Sequence, residues 1–316
     1  MHYRRLGHSG LTVSVVGLGC NNLGGRLDRA ATAGVVGAAL DCGITLFDTA
    51  DIYGVPHGAS EEELGKALRA HRDEVVLATK FGMDMEGANG PDFGARGARR
   101  YVLRAVEASL RRLRTDHVDL LQMHEPDPAT PIEETLGALD DLVHDGKVRY
   151  VGSSNFAAWQ VVEAEWVSRV DGVTRFVSAQ NRYSLLERGI EAELVPACEE
   201  YGIGIIPFYP LESGLLSGKY RRGEEPPQGS RLARDRFVGR LAEAPWDVIE
   251  ALQDFADKRG LGLIDVAIGG LVAQPGVASA IVGAMTPEQV RANARAAEWE
   301  PDPSDLATLD ELTTRT

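Results

Sequence analysis

An alternation constrains this chain more than any single motif: eight short runs rich in β-branched and apolar residues are each followed by a segment of helical periodicity. The runs fall at 13–20, 45–48, 75–80, 118–124, 148–153, 176–180, 203–208 and 280–283. Helical patterns fill the gaps near 29–42, 60–70, 98–114, 131–145, 156–168, 189–200, 262–273 and 286–297, with further helices near 245–258 and 304–313. Eight strand–helix repeats predict an α/β fold, a (β/α)8 TIM barrel formed as a single domain over 1–316. No repeat, low-complexity tail or shift in composition marks a domain boundary.

Local signals mark some helix ends. Ser60-Glu61-Glu62-Glu63 reads as a capping box opening a helix, and Asp41-Cys42-Gly43 supplies a glycine stop. The one long irregular stretch, at about 209–240, holds Gly223, Pro226, Pro227, Gly229 and, from Arg221 to Arg240, six arginines. Long loops in compact domains are usually functional or mobile.

Composition narrows the function. A hydrophobic fraction of 44% and a charged fraction of 25% describe a globular chain rather than a disordered one. The formal net charge of −14 argues against a nucleic-acid partner, because neutralising phosphates takes clustered Lys and Arg. An anionic ligand must therefore find a local basic pocket. No apolar stretch has the length of a membrane span, and Met1-His2-Tyr3-Arg4-Arg5 is not followed by a signal-type run, so a cytoplasmic protein is expected. Three cysteines, Cys20, Cys42 and Cys198, are odd in number and lack metal-type spacing, which predicts buried thiols rather than disulfides or a metal site.

Three of the apolar runs end in residues suited to proton chemistry: 45–48 in Asp48, 75–80 in Lys80, and 118–124 in His124. Tyr53 follows the first, in the loop Asp48-Thr49-Ala50-Asp51-Ile52-Tyr53-Gly54. Taken singly, each has an ordinary role in a turn, a loop or a core. Together, at the C-terminal ends of successive strands, they occupy the places where barrel enzymes hold catalytic groups.

At these residues the sequence resembles the aldo-keto reductases, in the branch that includes bacterial aldo/keto reductases and potassium-channel β subunits. The resemblance runs through the segment from Asp41 to Gly54, then Ala78-Thr79-Lys80, Gln122-Met123-His124, Gly146-Lys147-Val148-Arg149 and Gly152-Ser153-Ser154-Asn155-Phe156, in that order. It implies a catalytic tetrad of Asp48, Tyr53, Lys80 and His124. Hydride reduction of an aldehyde or ketone leaves negative charge on the carbonyl oxygen, and that oxygen needs a proton. A free phenol, with a pKa of about 10, holds its proton tightly. A neighbouring ammonium stabilises tyrosinate, and two unit charges about 4 Å apart interact by roughly 4 kcal/mol at an effective dielectric near 20. On this reading Lys80 lowers Tyr53, Asp48 keeps Lys80 charged, and a neutral His124 directs the carbonyl oxygen.

The resemblance also implies a nicotinamide cofactor, NADP with NAD possible, although Gly17-Leu18-Gly19-Cys20-Asn21-Asn22-Leu23-Gly24 lacks the third-glycine spacing of a Rossmann fingerprint. The cofactor positions it marks are Gly19, Cys20 and Asn21 after the first strand and Ser154, Asn155 and Gln180 at the carboxamide. Phe208, Leu211, Ser213, Gly214, Leu215, Lys219 and Arg231 belong to the pyrophosphate loop and its extension, and Gly283, Gln289 and Asn293 to the adenosine end. Met285 and Ala292 depart from the polar or charged residues that relatives often carry there, so NADP preference rests on Lys219 and Arg231. Asn21, Asn22, Met83 and Met85 are candidates for the substrate pocket. The expected partner is a small-molecule carbonyl substrate, and oligomeric state is not legible. Two other functions share the motifs: an NAD-linked aldose dehydrogenase, and a cofactor-binding redox-sensing subunit with little turnover.

Overall fold

The chain opens with a hairpin. In the computed structural model, which describes residues 1–234, 237 and 239–314, strand β1 (Tyr3–Arg5) pairs antiparallel with β2 (Thr12–Ser14). The run expected as one strand at 13–20 is therefore divided, and only β3 (Val16–Gly19) joins the barrel. The reason is apolar burial. Leu6 and Val13 are fully buried against Leu46, Val76, Leu120 and Ile206, so the hairpin plugs the end of the barrel where the strands begin.

Among the described residues seven further strands follow β3: β4 (Leu46–Asp48), β5 (Val76–Phe81), β6 (Val118–Met123), β7 (Val148–Ser154), β8 (Phe176–Gln180), β9 (Gly204–Ile205) and β10 (Ala280–Gly283). All eight are parallel, in the order β10-β3-β4-β5-β6-β7-β8-β9. The ring closes where Ile205 bridges Val277 and Phe208 bridges Ile281, with Ile281 N donating to Pro207 O at 2.8 Å. Regular pairing in the run expected at 203–208 is confined to two residues, and Pro207 within it has no N–H to donate. The fold is a (β/α)8 barrel.

Among the described residues ten helices cover it: α1 (Arg29–Asp41), α2 (Ala59–Ala67), α3 (Arg99–Leu113), α4 (Ile132–His144), α5 (Ala158–Asp171), α6 (Leu194–Tyr201), α7 (Trp246–Asp257), α8 (Leu263–Val272), α9 (Pro287–Ala296) and α10 (Pro303–Thr313). The pattern at 189–200 resolves into a short 3-10 turn, Gly189–Glu191, and α6. Among the described residues no helix is long and apolar enough to cross a membrane. Gly43 ends α1 as the sequence suggests, at φ 74°, its N–H bonding Leu40 O while Ile44 N bonds Ala39 O.

The capping box does not form. α2 starts earlier, after Gly58 in a left-handed conformation, and Ser60 lies buried inside it. Ser60 Oγ instead donates to Cys20 O at 2.7 Å and lies 2.9 Å from Thr49 Oγ1, while Glu63 pairs with Lys66 and Arg29. Tertiary partners outbid the local cap. Gly65 lets α2 approach α3 closely, since a Cβ there would stand 2.2 Å from Leu113 O.

Side-chain parity aims the chemistry. Phe47, Leu77, Leu121 and Met123 face outwards into the helix-covered core, whereas Leu46, Val76, Ala78 and Leu120 face the barrel interior. Register aligns Asp48 with Ala78 and Lys80 with Gln122, so the interior set continues upward as Asp48, Lys80 and Gln122. The long loop contains the 3-10 stretches Glu212–Ser217 and Arg231–Ala233. Of the residues expected in it, Asp235, Arg236 and Val238 lie outside the described set.

Candidate active site

Asp48 ends β4 and is the hub of the polar cluster. Lys80 Nζ lies 2.7 Å from its Oδ2, and Lys80 also donates to Thr49 O at 2.9 Å. Gln122 Nε2 and Gln180 Nε2 donate to Oδ1 at 3.3 and 3.0 Å, the latter from across the barrel. Tyr53 is held from both sides of its loop: Thr49 N bonds Ala78 O, Asp51 N bonds Lys80 O, and Ser60 N bonds Tyr53 O. Gly54 makes the following turn at φ 96°, where a Cβ would come within 2.6 Å of Ser60 N. The Tyr53 ring centre is 5.2 Å from Lys80 Nζ and 5.6 Å from the His124 ring, which it meets edge-on at 82°. Asp48, Lys80 and His124 from the strand tips and Tyr53 from its loop thus meet at one rim.

Their electrostatics differ from the sequence argument at one point. Burial pushes the Tyr53 phenol above its ordinary range, and Lys80, which opposes the shift, does not overcome it. Asp48 neutralises the ammonium that was expected to lower the phenol. Burial alone would pull Lys80 down, but Asp48 and Tyr53 together outweigh it and hold the ammonium above its usual value. His124 is pushed down to about 3 by burial and then by Lys80, so it is neutral at physiological pH. Its Nδ1 is buried without a hydrogen-bond partner among the described residues.

Asp48, Tyr53 and His124 line a cleft of about 700 Å3. The sequence-derived cofactor positions line it too, in four groups. Gly19, Cys20 and Asn21 follow β3; Ser154, Asn155 and Gln180 lie at the ends of β7 and β8; Phe208, Leu211, Ser213, Gly214, Lys219 and Arg231 follow β9; and Gly283, Gln289 and Asn293 follow β10. Two predicted site residues are not on the wall. Lys80 is buried behind it, and Leu215 packs into the satellite core with Leu216, Leu232 and Trp246. Asn155, at φ 60°, donates to His124 O at 2.9 Å and so ties the β7 end to the histidine. Of the substrate-pocket candidates, Asn21, Asn22 and Met83 line the cleft, while Met85 is buried away from it.

Arg231 stacks on two rings, Tyr209 at 5.1 Å and Phe237 at 5.4 Å, and donates to the Tyr209 hydroxyl at 3.2 Å. Its Nε is buried with no partner among the described residues, which leaves a donor for an anion. Sequence reasoning missed Tyr209 and Arg240, whose Nη1 donates to Ser213 Oγ at 3.0 Å, and Arg26, which reaches Asn22 Oδ1 at 3.0 Å. The density of arginine in the loop signalled only Arg240. The thiols of Cys20 and Cys198 are buried and Cys42 is half-buried, all three unpaired with one another.

Comparison with known proteins agrees with this geometry. The sequence model of the aldo/keto reductase family matches residues 15–314. The chain is 36% identical over 318 residues to the oxidoreductase YrpG of Bacillus subtilis, covering 99% of this chain and 96% of that protein. It is 35% identical over 308 residues to an L-glyceraldehyde 3-phosphate reductase of Escherichia coli, covering 94% and 87%. A probable voltage-gated potassium channel subunit beta of Arabidopsis thaliana is 34% identical over 312 residues, covering 95% and 92%. With a closed eight-stranded barrel, four ionisable groups at its rim and a family match over nearly the whole chain, the protein belongs to the aldo/keto reductase family.

Proposed function

We propose that this chain reduces small aldehydes or ketones to alcohols, using NADPH as hydride source and Tyr53 as proton donor. The convergence of Tyr53, Lys80, Asp48 and His124 at the cleft carries the reading. The cleft fits a dinucleotide in size, and its basic groups Lys219 and Arg231 fit phosphates, the unpartnered Arg231 Nε in particular. Gly19 to Asn21, Ser154, Asn155, Gln180, Phe208, Gly214, Gly283, Gln289 and Asn293 would hold the rest of the cofactor, which when bound supplies hydride.

The residues of the chain supply the proton and the orientation. A phenol held above its ordinary range stays protonated at neutral pH, so Tyr53 carries the proton that reduction needs, and the nascent alkoxide is basic enough to take it. As negative charge grows on the carbonyl oxygen, Tyr53 transfers its proton and Lys80 stabilises the nascent tyrosinate. Asp48 keeps Lys80 charged and aimed. Neutral His124 orients the carbonyl without competing as an acid.

Tyr53→Phe, assayed with NADPH and an aldehyde panel, tests the reading: turnover should collapse while cofactor affinity stays. Similarity to a channel β subunit supports one other reading, a redox-sensing subunit, and the NAD-linked aldose dehydrogenase is a third. Rapid multiple turnover with aldehydes separates the reductase from the sensor, and faster oxidation of aldoses with NAD identifies the dehydrogenase.

A further inference from the structure

Beneath the loop that carries Tyr53 lies a second buried ionic cluster, which the proposed chemistry does not use. Asp51, two residues before Tyr53, is fully buried, and so is Glu61 on α2. Arg112 on α3 reaches into the space between them. Its Nε donates to Glu61 Oε2 at 2.6 Å and its Nη1 to Asn89 Oδ1 at 3.1 Å. Asn89 in turn donates from Nδ2 to Asp51 Oδ2 at 2.9 Å, and Glu61 Oε1 accepts from Thr79, the neighbour of Lys80, at 2.6 Å. The cluster therefore touches the Tyr53 loop, the strand bearing Lys80, the loop after β5 and helix α2.

We propose that Arg112, through Glu61, Asn89 and Asp51, is a positioning residue that holds the Tyr53 loop in register with Lys80. This inference rests on the reading of Tyr53 as proton donor. A guanidinium suits the task because its fork serves two partners at fixed angles, which an ammonium does not.

The charge count gives the cluster a pH dependence. Two enclosed carboxylates face one guanidinium, so one negative charge has no counterpart. Asp51 Oδ1 is buried with no partner among the described residues, whereas both oxygens of Glu61 are engaged. Asp51 is therefore the carboxyl that keeps a proton. Burial and then the Glu61 charge push it up to about 8, against Arg112 and Asn89. From α3 it is faced by Tyr101, which burial and the Asp51 charge push up to about 12, with Asp92 and Arg96 beyond. On its other side its own N–H bonds Lys80 O, while the Lys80 ammonium is occupied by Asp48 and Thr49 O. Because this Asp is raised, its proton favours the folded state fully below pH 3.8, and that stability is lost as pH rises through about 8.

The test uses the full chain with NADPH and para-nitrobenzaldehyde. In Arg112→Gln, kcat should fall about tenfold with the NADPH dissociation constant within about twofold, and Arg112→Lys should restore little. Amide hydrogen exchange should quicken over residues 49–58 and 82–90 while the rest of the barrel is unchanged, a readout that needs no turnover. Adding Glu61→Gln to Arg112→Gln should recover most of the lost kcat, because it removes the charge that Arg112 had paired. Asp51→Asn alone should flatten the fall of kcat between about pH 7 and 9, and the fall of the urea midpoint between about pH 4 and 8. The proposal is overturned if Arg112→Gln lowers only global stability with kcat of the folded protein intact, or if Asp51→Asn leaves the alkaline fall in place. Failure of the Tyr53 reading would show separately, as turnover surviving in Tyr53→Phe.

Discussion

Lys80 Nζ lies 2.7 Å from Asp48 Oδ2 with the side chains 0% and 4% exposed, so an ion pair is sealed at the C-terminal end of the barrel and turned towards Tyr53. A pair this deep contributes little to net stability, since desolvation offsets its Coulomb attraction, but removing one partner strands a charge. Lys80→Met should destabilise the fold by about 3–5 kcal/mol. Lys80→Met with Asp48→Asn should recover part of that loss while leaving turnover absent, as urea unfolding and a steady-state assay of both variants would show. A double variant no more stable than the single one would mean that the pair is not energetically coupled.

Tyr53→Phe keeps the aromatic body against His124 and removes the proton. Turnover should drop by ~10²–10⁴-fold, the range for loss of a general acid. Cofactor fluorescence titration should give a dissociation constant close to that of the parent protein.

His124 makes two predictions. As an orienting group it should matter more for ketones than for small reactive aldehydes, so His124→Ala should widen the ratio of aldehyde to ketone turnover. Its imidazole is neutral in the fold, pushed down from 6.5 to about 3. Its stability contribution is therefore complete above pH 6.5 and lost as pH falls towards about 3, with a slope of up to about 1.4 kcal/mol per pH unit. A urea series at pH 7, 5 and 4 on the parent and His124→Gln should show the shallower acid slope in the variant.

Arg231 lies over two aromatic rings, with its Nε unpartnered among the described residues. If it serves the 2′-phosphate in place of the apolar Met285, Arg231→Ala should weaken NADPH binding about tenfold and NADH binding much less. Higher salt should narrow the difference. Equal losses for the two cofactors would move Arg231 to a shared phosphate or to ordering of the loop.

Much of the barrel was legible because strands and helices are encoded by local periodicity: 176–180 and 280–283 match β8 and β10, and the glycine after α1 acts as the motif says. Asp48, Lys80 and His124 could be read from the strand tips for the same reason. Ser60 shows where local reading stops. Its hydroxyl had a cap available in sequence, yet Cys20 and Thr49, brought up by other strands, took it instead.

What the sequence alone determined, then, is the order of elements and the residues at their ends, which depend on neighbours within a few positions. Only the tertiary structure decided the rest. It set the hairpin plug, the pull of Gln180 across the barrel to Asp48, and the Arg112 cluster, whose members are spread between residues 51 and 112. It also reversed the expected shift of Tyr53. A phenol's proton affinity depends on how much water the finished fold removes and on which charges are already paired, and neither exists until the barrel closes.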